Sequence, residues 1–341
     1  MIGSVVSYII SFIFLCHFSF ITEKFQDEPI VIEGLTMGTT YRIIYFDEPH
    51  HRNFKISVDS LLALVNKSIN TYDSTSEISR FNRSSTGITF QLPYFYASLK
   101  KAEEIYRASK GAFDPTVMPL VNAWGFGPQK SLPPSDRKID SLKALVGFDK
   151  VQLCEKGITK SDSRVQLDMG GIGQGYGADV IFEFLKSNGI QNMLVELGGE
   201  GLSCGKNLKK NKPWRIGILN PNSTQDHQFF KAYVTLQDKA FTTSGNYFNY
   251  RVINGQKFGH TIDPVTGYPV QHELLSASVF ANDCTTADGW ATAFMVMGLE
   301  KAIAQLKLLP NVDALLIYST GKGNLETYIT PGMETFVTLE Q

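Results

Sequence analysis

The stretch from Val165 to Gly201, VQLDMGGIGQGYGADVIFEFLKSNGIQNMLVELGGEG, constrains this chain more than any other. A strand is expected to end at Asp168. Gly170, Gly171, Gly173, Gly175 and Gly177 follow, and a helix is expected from near Tyr176 toward Asn188, stopped by Gly189. A short apolar strand, Asn192 to Leu197, then leads into a second glycine turn, Gly198-Gly199-Glu200-Gly201. Two readings fit. The glycines let a ligand approach the backbone at a helix N-terminus, where free N–H groups suit an anion. Equally, they let the strand, turn and helix pack closely. Asp168 would repel a bare phosphate, and a divalent cation between them would resolve that conflict. The stretch contains no Gly-Lys-Ser/Thr and does not keep the G-x-G-x-x-G spacing, so neither well-known phosphate loop applies.

The chain can afford a sizeable core, because 43% of its 341 residues are hydrophobic and only 19% are charged. A net charge of −1 argues against a broad electrostatic nucleic-acid binder. Cys16, Cys154, Cys204 and Cys284 lack metal-finger spacing. Cys16 lies in the apolar N-terminus. The other three are odd in number and far apart, so buried thiols are expected rather than a disulfide framework.

Met1 to Ile21 contains no charged side chain and is long enough to span a bilayer. A buried core helix would show a polar face, and this one has none. The expected organisation is a signal peptide or N-terminal membrane anchor over residues 1–22, a short polar linker over 23–30, and a single domain over 31–341. Ile13-Phe14-Leu15-Cys16 faintly resembles a lipoprotein cleavage site, although Leu15 is large where a small residue is expected. The expected location is outside the cytoplasm, on the periplasmic side of the inner membrane, anchored or lipoprotein-like.

Val31–Leu35 and Thr40–Phe46 read as strands around Met37-Gly38-Thr39, and Lys55–Asn70 as an amphipathic helix. Thr71 to Asn82 is polar and turn-rich, with a capping box at Ser74 to Glu77. Tyr94–Ser109 is a helix. Gly111 to Thr116 is a loop in which Pro115 keeps Asp114 extended. Val121 to Pro128 sets Trp124 and Phe126 on a glycine-rich segment, either to stack on a planar ring or to plug the core. Ser131 to Lys143 reads as a polar surface excursion. Phe248–Ile253 and Gln256–Gly259 form a hairpin around Asn254-Gly255 that delivers His260. Leu274–Ala281 is a strand, the next helix runs to near Gly298, and another covers Leu299–Leu308. Strands outnumber helices and many are hairpin-linked, which predicts an α+β fold of largely antiparallel sheets with packed helices.

Asp288 and Thr292 stand four apart on a helix and share a face. Both are hard oxygen ligands suited to Mg²⁺, although an Asp at such a place is also a common helix cap. His260 sits on a loop rather than on a packed face, which suits a general base. Asp263 either orients it or starts the Asp-Pro-x-x-Gly turn, and the turn is the simpler role.

In order along the chain, MGTTYRI, STSEISRFN, GAFDPTVMPLVNAWGFGP, LDMGGIGQGYGADVI, LVELGGEG, TSGNYFNYRV, GHTIDPVTGYP and TADGWATAFMVMG occupy Met37 to Gly298. With these motifs the chain resembles the ApbE family of FAD:protein FMN transferases. The resemblance implies a T-fold-related flavin transferase architecture. It implies Mg²⁺-dependent transfer of FMN from FAD to a Thr or Ser hydroxyl of an exported flavoprotein, such as a subunit of a membrane respiratory complex, with release of AMP. By motif position it implies flavin or adenine contacts at Met37 and Tyr72. It implies further FAD contacts at Ala112, Phe113, Asp114, Asp168, Gln174 and Ile262. Mg²⁺ would be held by the Gly171 carbonyl, Asp288 and Thr292, and His260 would be the base. Gln174 departs from the Lys or Glu common in the family, and Ala291 stands where some members carry an acid. Three other activities fit parts of the pattern: an FAD pyrophosphatase yielding FMN and AMP, a non-catalytic flavin-binding protein, and a structural envelope protein.

Overall fold

The computed structural model describes residues 28–128, 131–224, 226–247, 249–253, 255–321 and 323–340. The N-terminal segment and most of the linker read from the sequence therefore lie outside the described residues.

An eight-stranded antiparallel sheet organises the chain. Its strands are Ile30–Thr36, Thr39–Phe46, Asn192–Leu197, Glu200–Cys204, Ala240–Gly245, Leu274–Ala281, Asp313–Ser319 and Leu325–Ile329, and their spatial order is their chain order. Alternation of buried and exposed residues builds these strands. Asn192–Leu197, for instance, turns Met193, Val195 and Leu197 inward. The sheet is a meander, and the chain between its strands carries the chemistry. The helices Lys55–Ile69 and Pro93–Ala108 and the glycine-rich helix Gly173–Ser187 fall in one connection. The hairpin Tyr250–Ile253 with Gln256–Gly259 falls in another, and the helix Cys284–Met297 in a third. One face of the sheet packs Ala277, Val279 and Ala281 against Ala287, Ala291 and Phe294 of that helix. The opposite face packs Phe241, Phe280 and Leu315 against Trp214, Ile218 and Val234 of a four-stranded sheet. The expected α+β antiparallel architecture is observed.

Several local expectations are corrected. Residues 165–168 form no strand ladder. A side chain substitutes for a neighbouring strand: Asn82 donates to the Leu167 carbonyl at 2.9 Å and accepts from the Leu167 amide at 2.7 Å. The following helix begins at Gly173, three residues before Tyr176, because the Gly173 amide already donates to the Met169 carbonyl at 2.8 Å. Met118–Trp124 is helical. The polar excursion contains a helix, Asp136–Lys143, anchored by buried Ile139. Ser76, not Ser74, caps the short helix Glu77–Arg83 through the Ser79 amide. Of the three cysteines expected to be buried, only Cys284 is; Cys154 is exposed, Cys204 is half-buried, and all three are free thiols. Among the described residues no helix is long and apolar enough to cross a membrane.

Candidate active site

A cavity of about 710 Å³ opens where the glycine segment, the Cys284–Met297 helix, the Met37-Gly38 turn and the His260 loop meet. All twelve residues singled out in the sequence line it. They are Met37, Tyr72, Ala112, Phe113, Asp114, Asp168, Gly171, Gln174, His260, Ile262, Asp288 and Thr292.

The glycines serve close packing. None of Gly170, Gly171, Gly173, Gly175 and Gly177 has a positive φ. A Cβ on Gly175 would stand 2.5 Å from the Cys284 carbonyl oxygen and 2.8 Å from Asp288 Cβ. A Cβ on Gly177 would stand 3.0 Å from Met37 Cε, and one on Gly171 2.8 Å from Thr292 Oγ1. The two helices can therefore touch, and backbone groups of the glycine segment reach the side chains of the Cys284–Met297 helix. Gly175 donates its amide to Asp288 Oδ2 at 3.0 Å, and Thr292 Oγ1 donates to the Gly171 carbonyl at 3.2 Å. A second clamp fixes the start of that helix. The Asp179 carboxylate accepts from the amides of Cys284 and Thr285, both at 2.8 Å, and from the Thr285 hydroxyl.

Asp288 is 5% exposed, and burial pushes its pKa up to about 7. Glu200, which lines the same cavity, is raised well above the carboxylate range by burial and by the Asp288 charge. Its Oε2 is buried without a hydrogen-bond partner. Two acidic side chains, a hydroxyl and a carbonyl thus share this end of the cavity. Among the described residues no three His, Cys, Asp or Glu side chains converge as a metal-binding group. A hard cation such as Mg²⁺ needs fewer, because it takes one or two carboxylates and completes its shell with substrate oxygens and water. An orphaned carboxylate oxygen beside such a donor set fits that cation. Asp168 accepts the Gly170 amide on Oδ1 at 2.9 Å, and burial raises its pKa. Asp114 is 7% exposed; burial raises it to about 6 although Thr116 donates both its amide and its hydroxyl to Oδ1.

His260 follows the hairpin directly. Its amide and its Nδ1 both meet the Asn249 carbonyl at 3.1 Å. Only an Nδ1–H can donate to a carbonyl, so the proton is assigned there and Nε2 keeps its lone pair. Burial lowers the pKa below the usual histidine value, which keeps the ring neutral at pH 7. The hairpin is held from below. Arg251 donates to the Trp124 and Ser131 carbonyls, and the Trp124 ring stacks on Phe258 at 5.6 Å between centroids. Trp124 is 5% exposed and donates Nε1–H to the Gly267 carbonyl at 2.8 Å, so it plugs the core under the hairpin. Asp263 makes the turn, accepting the Val265 amide on Oδ1 and the Gly267 amide on its carbonyl, both at 2.8 Å. Asp283 caps the Cys284–Met297 helix through the Thr286 amide and hydroxyl.

Tyr72 is 69% exposed and its hydroxyl donates to the Phe126 carbonyl at 3.1 Å, spanning two segments that line the cavity. Met37 occupies the first position of a two-residue hairpin turn at φ 50°, followed by Gly38 at 75°. That is a type I′ geometry, uncommon for methionine, and it turns Met37 Cε toward Gly177. Sequence reasoning missed Glu200, which reads only as part of the second glycine turn.

The model of the ApbE family matches residues 37–316. The chain is 35% identical over 318 residues to the FAD:protein FMN transferase of Vibrio cholerae, covering 91% of this chain and 93% of that protein. It is 32% identical over 325 residues to the FAD:protein FMN transferase of Escherichia coli K12, covering 92% and 91%. The structure of the flavin transferase ApbE from Vibrio cholerae superposes with a TM-score of 0.82 at 34% identity, over 91% of this chain and 99% of that one. The apo flavinyl transferase ApbE of Pseudomonas stutzeri superposes with a TM-score of 0.81 at 32% identity, over 92% and 98%.

Proposed function

The chain belongs to the ApbE family, and from that premise we propose that it transfers FMN from FAD to a Thr or Ser hydroxyl of an acceptor protein, releasing AMP. One observation carries the reading: His260, with Nδ1 engaged by the Asn249 carbonyl, lines the same cavity as Gly171, Asp288 and Thr292. Met37, Ala112, Phe113, Asp114, Asp168, Gln174 and Ile262 would bind FAD, and Tyr72 would close over it. Gln174 offers hydrogen bonds without charge. Nε2 of His260 takes the proton of the acceptor hydroxyl. The hydroxyl oxygen then bonds to the phosphorus of the FMN half, and the phosphorus–oxygen bond to AMP breaks. Mg²⁺, held by the Asp288 carboxylate, the Thr292 hydroxyl and the Gly171 carbonyl, would neutralise charge developing on the pyrophosphate. The chain's own contribution is to fix those oxygens before the substrate arrives, through the Gly175–Asp288 bond and the Asp179 clamp.

Incubation with FAD, Mg²⁺ and a candidate exported acceptor domain tests the proposal, with intact mass as the readout. The acceptor should gain the mass of one FMN while AMP appears. Release of FMN and AMP with no mass gain would instead make the enzyme a pyrophosphatase. The uncharged Met1 to Ile21 segment supports a location outside the cytoplasm, where a membrane-bound flavoprotein subunit is a suitable acceptor. Protease accessibility in spheroplasts tests that location; a chain protected until lysis would refute it.

A further inference from the structure

Glu200 belongs to the strand Glu200–Cys204, and its place in the sheet is set by register. Leu202 pairs with Ala240 and Gly201 with Phe241. One step further along the same register sets Glu200 opposite Thr242, which pairs on its other side with Val279. Val279 packs in the cluster that contains Ala287 and Ala291 of the Cys284–Met297 helix. Glu200 therefore stands on the sheet face that this helix covers, and its side chain lines the cavity together with Asp288 and Thr292.

One of its carboxylate oxygens is left unsatisfied there. Glu200 Oε2 is buried and has no hydrogen-bond partner, and neither has Oγ1 of Thr242, which is 1% exposed. A buried acceptor without a donor costs free energy that a fold normally avoids. A second carboxylate, Asp288, shares the cavity, which adds repulsion to desolvation. A divalent cation removes both costs. Asp288 is already turned by the Gly175 amide on Oδ2, which leaves Oδ1 for another partner.

We propose that Glu200 is a further cation-positioning residue of this site, its carboxylate sharing with Asp288 the charge of the divalent cation that Gly171 and Thr292 help to hold. The inference deepens the metal-dependent transferase reading above and rests on it. Glu200 supplies charge and an acceptor for the cation or its bound water, and it touches neither the acceptor hydroxyl nor its proton. Glu200 and Asp288 approach the cation from a strand and a helix that meet only in the folded core, so its position is fixed from two sides.

The test uses the full-length chain and Mn²⁺ alone, followed by the electron paramagnetic resonance signal of the free ion, with no flavin present. Glu200→Gln keeps the size and hydrogen-bonding capacity of the side chain but removes its charge. It should weaken Mn²⁺ binding at least tenfold, and Glu200→Asp, which restores the charge, should lie within about threefold of wild type. Unchanged Mn²⁺ binding in Glu200→Gln would overturn the inference and leave the transferase reading standing. Equal weakening in Glu200→Gln and Glu200→Asp would also overturn it, because shape rather than charge would then matter. A wild-type chain that binds no Mn²⁺ without flavin would overturn this inference, because the two carboxylates would then not hold the cation before substrate oxygens complete its shell.

Discussion

Thr292 Oγ1 donates to the carbonyl oxygen of Gly171 at 3.2 Å, across 121 residues of sequence. The bond ties the helix that carries Asp288 to the glycine segment, and both of its oxygens are hard donors facing the cavity. Asp288→Ala should abolish Mg²⁺-dependent FMN transfer, by roughly a hundredfold or more. The fold should survive, because the helix is also held by the Asp179 clamp. Thr292→Val, nearly isosteric, should raise the Mg²⁺ concentration needed for half-maximal transfer. Magnesium titrations followed by acceptor mass, with circular dichroism as the control for folding, check both. Normal transfer by Asp288→Ala would end the metal assignment.

Gly175 sets the distance between two helices. A methyl group there would meet the Cys284 carbonyl oxygen at 2.5 Å, and that oxygen is backbone and cannot swing aside. Gly175→Ala should therefore destabilise the fold by about 1–3 kcal/mol, the usual cost of overpacking a tight contact. Urea unfolding measures it. A variant as stable as wild type would mean that the helices have room to separate.

Asp114 links stability to pH. Its folded pKa is raised to about 6 by burial, above the value near 3.9 of an unfolded chain. The protonated form is the one the fold prefers. Its contribution is thus fully present below about pH 4 and is lost as pH rises through 6. Asp114→Asn stays neutral throughout and keeps an acceptor for the Thr116 amide. Relative to wild type, this variant should gain on the order of 3 kcal/mol between pH 4 and pH 7.5. Denaturant unfolding at the two pH values checks it, and a pH-independent difference would contradict the buried-carboxyl reading.

Much of this architecture was legible in residue order, and the failures have physical causes. Asn192–Leu197 and Leu274–Ala281 were readable to the residue because alternation or an apolar run is a local signal. The strand expected before Asp168 was not there, since the partner of Leu167 is the Asn82 side chain, and side-chain pairing leaves no pattern in the sequence. Trp124 kept two readings until Phe258 and Gly267 were seen around it. Glu200 looked like a turn residue because its neighbour in space, Asp288, is supplied by a different connection. The site lies in the insertions of the sheet, and spacing along the chain does not encode how insertions meet.

His260 separates a transferase from a binder. Its Nδ1 is engaged by the Asn249 carbonyl at 3.1 Å, so the lone pair on Nε2 is the free basic site. A general base contributes about a hundredfold to ten-thousandfold in rate. Proton removal matters in the transition state and little in ground-state binding, so His260→Ala should slow FMN transfer by that order and leave FAD affinity nearly unchanged. A residue needed for binding would show the reverse, with weaker FAD affinity and transfer restored at saturating FAD. The pH profile adds a second readout. Burial disfavours the charged ring, so the folded pKa lies below the ordinary value, and the base is lost only when pH falls through that lower value. The acidic limb of transfer by the wild type should therefore lie at a lower pH than an ordinary histidine would set. The His260→Ala variant should lack that acidic limb. Flavin titration and acceptor mass spectrometry across pH on the same two proteins decide the matter, and full transfer by the variant at saturating FAD would remove His260 from the chemistry.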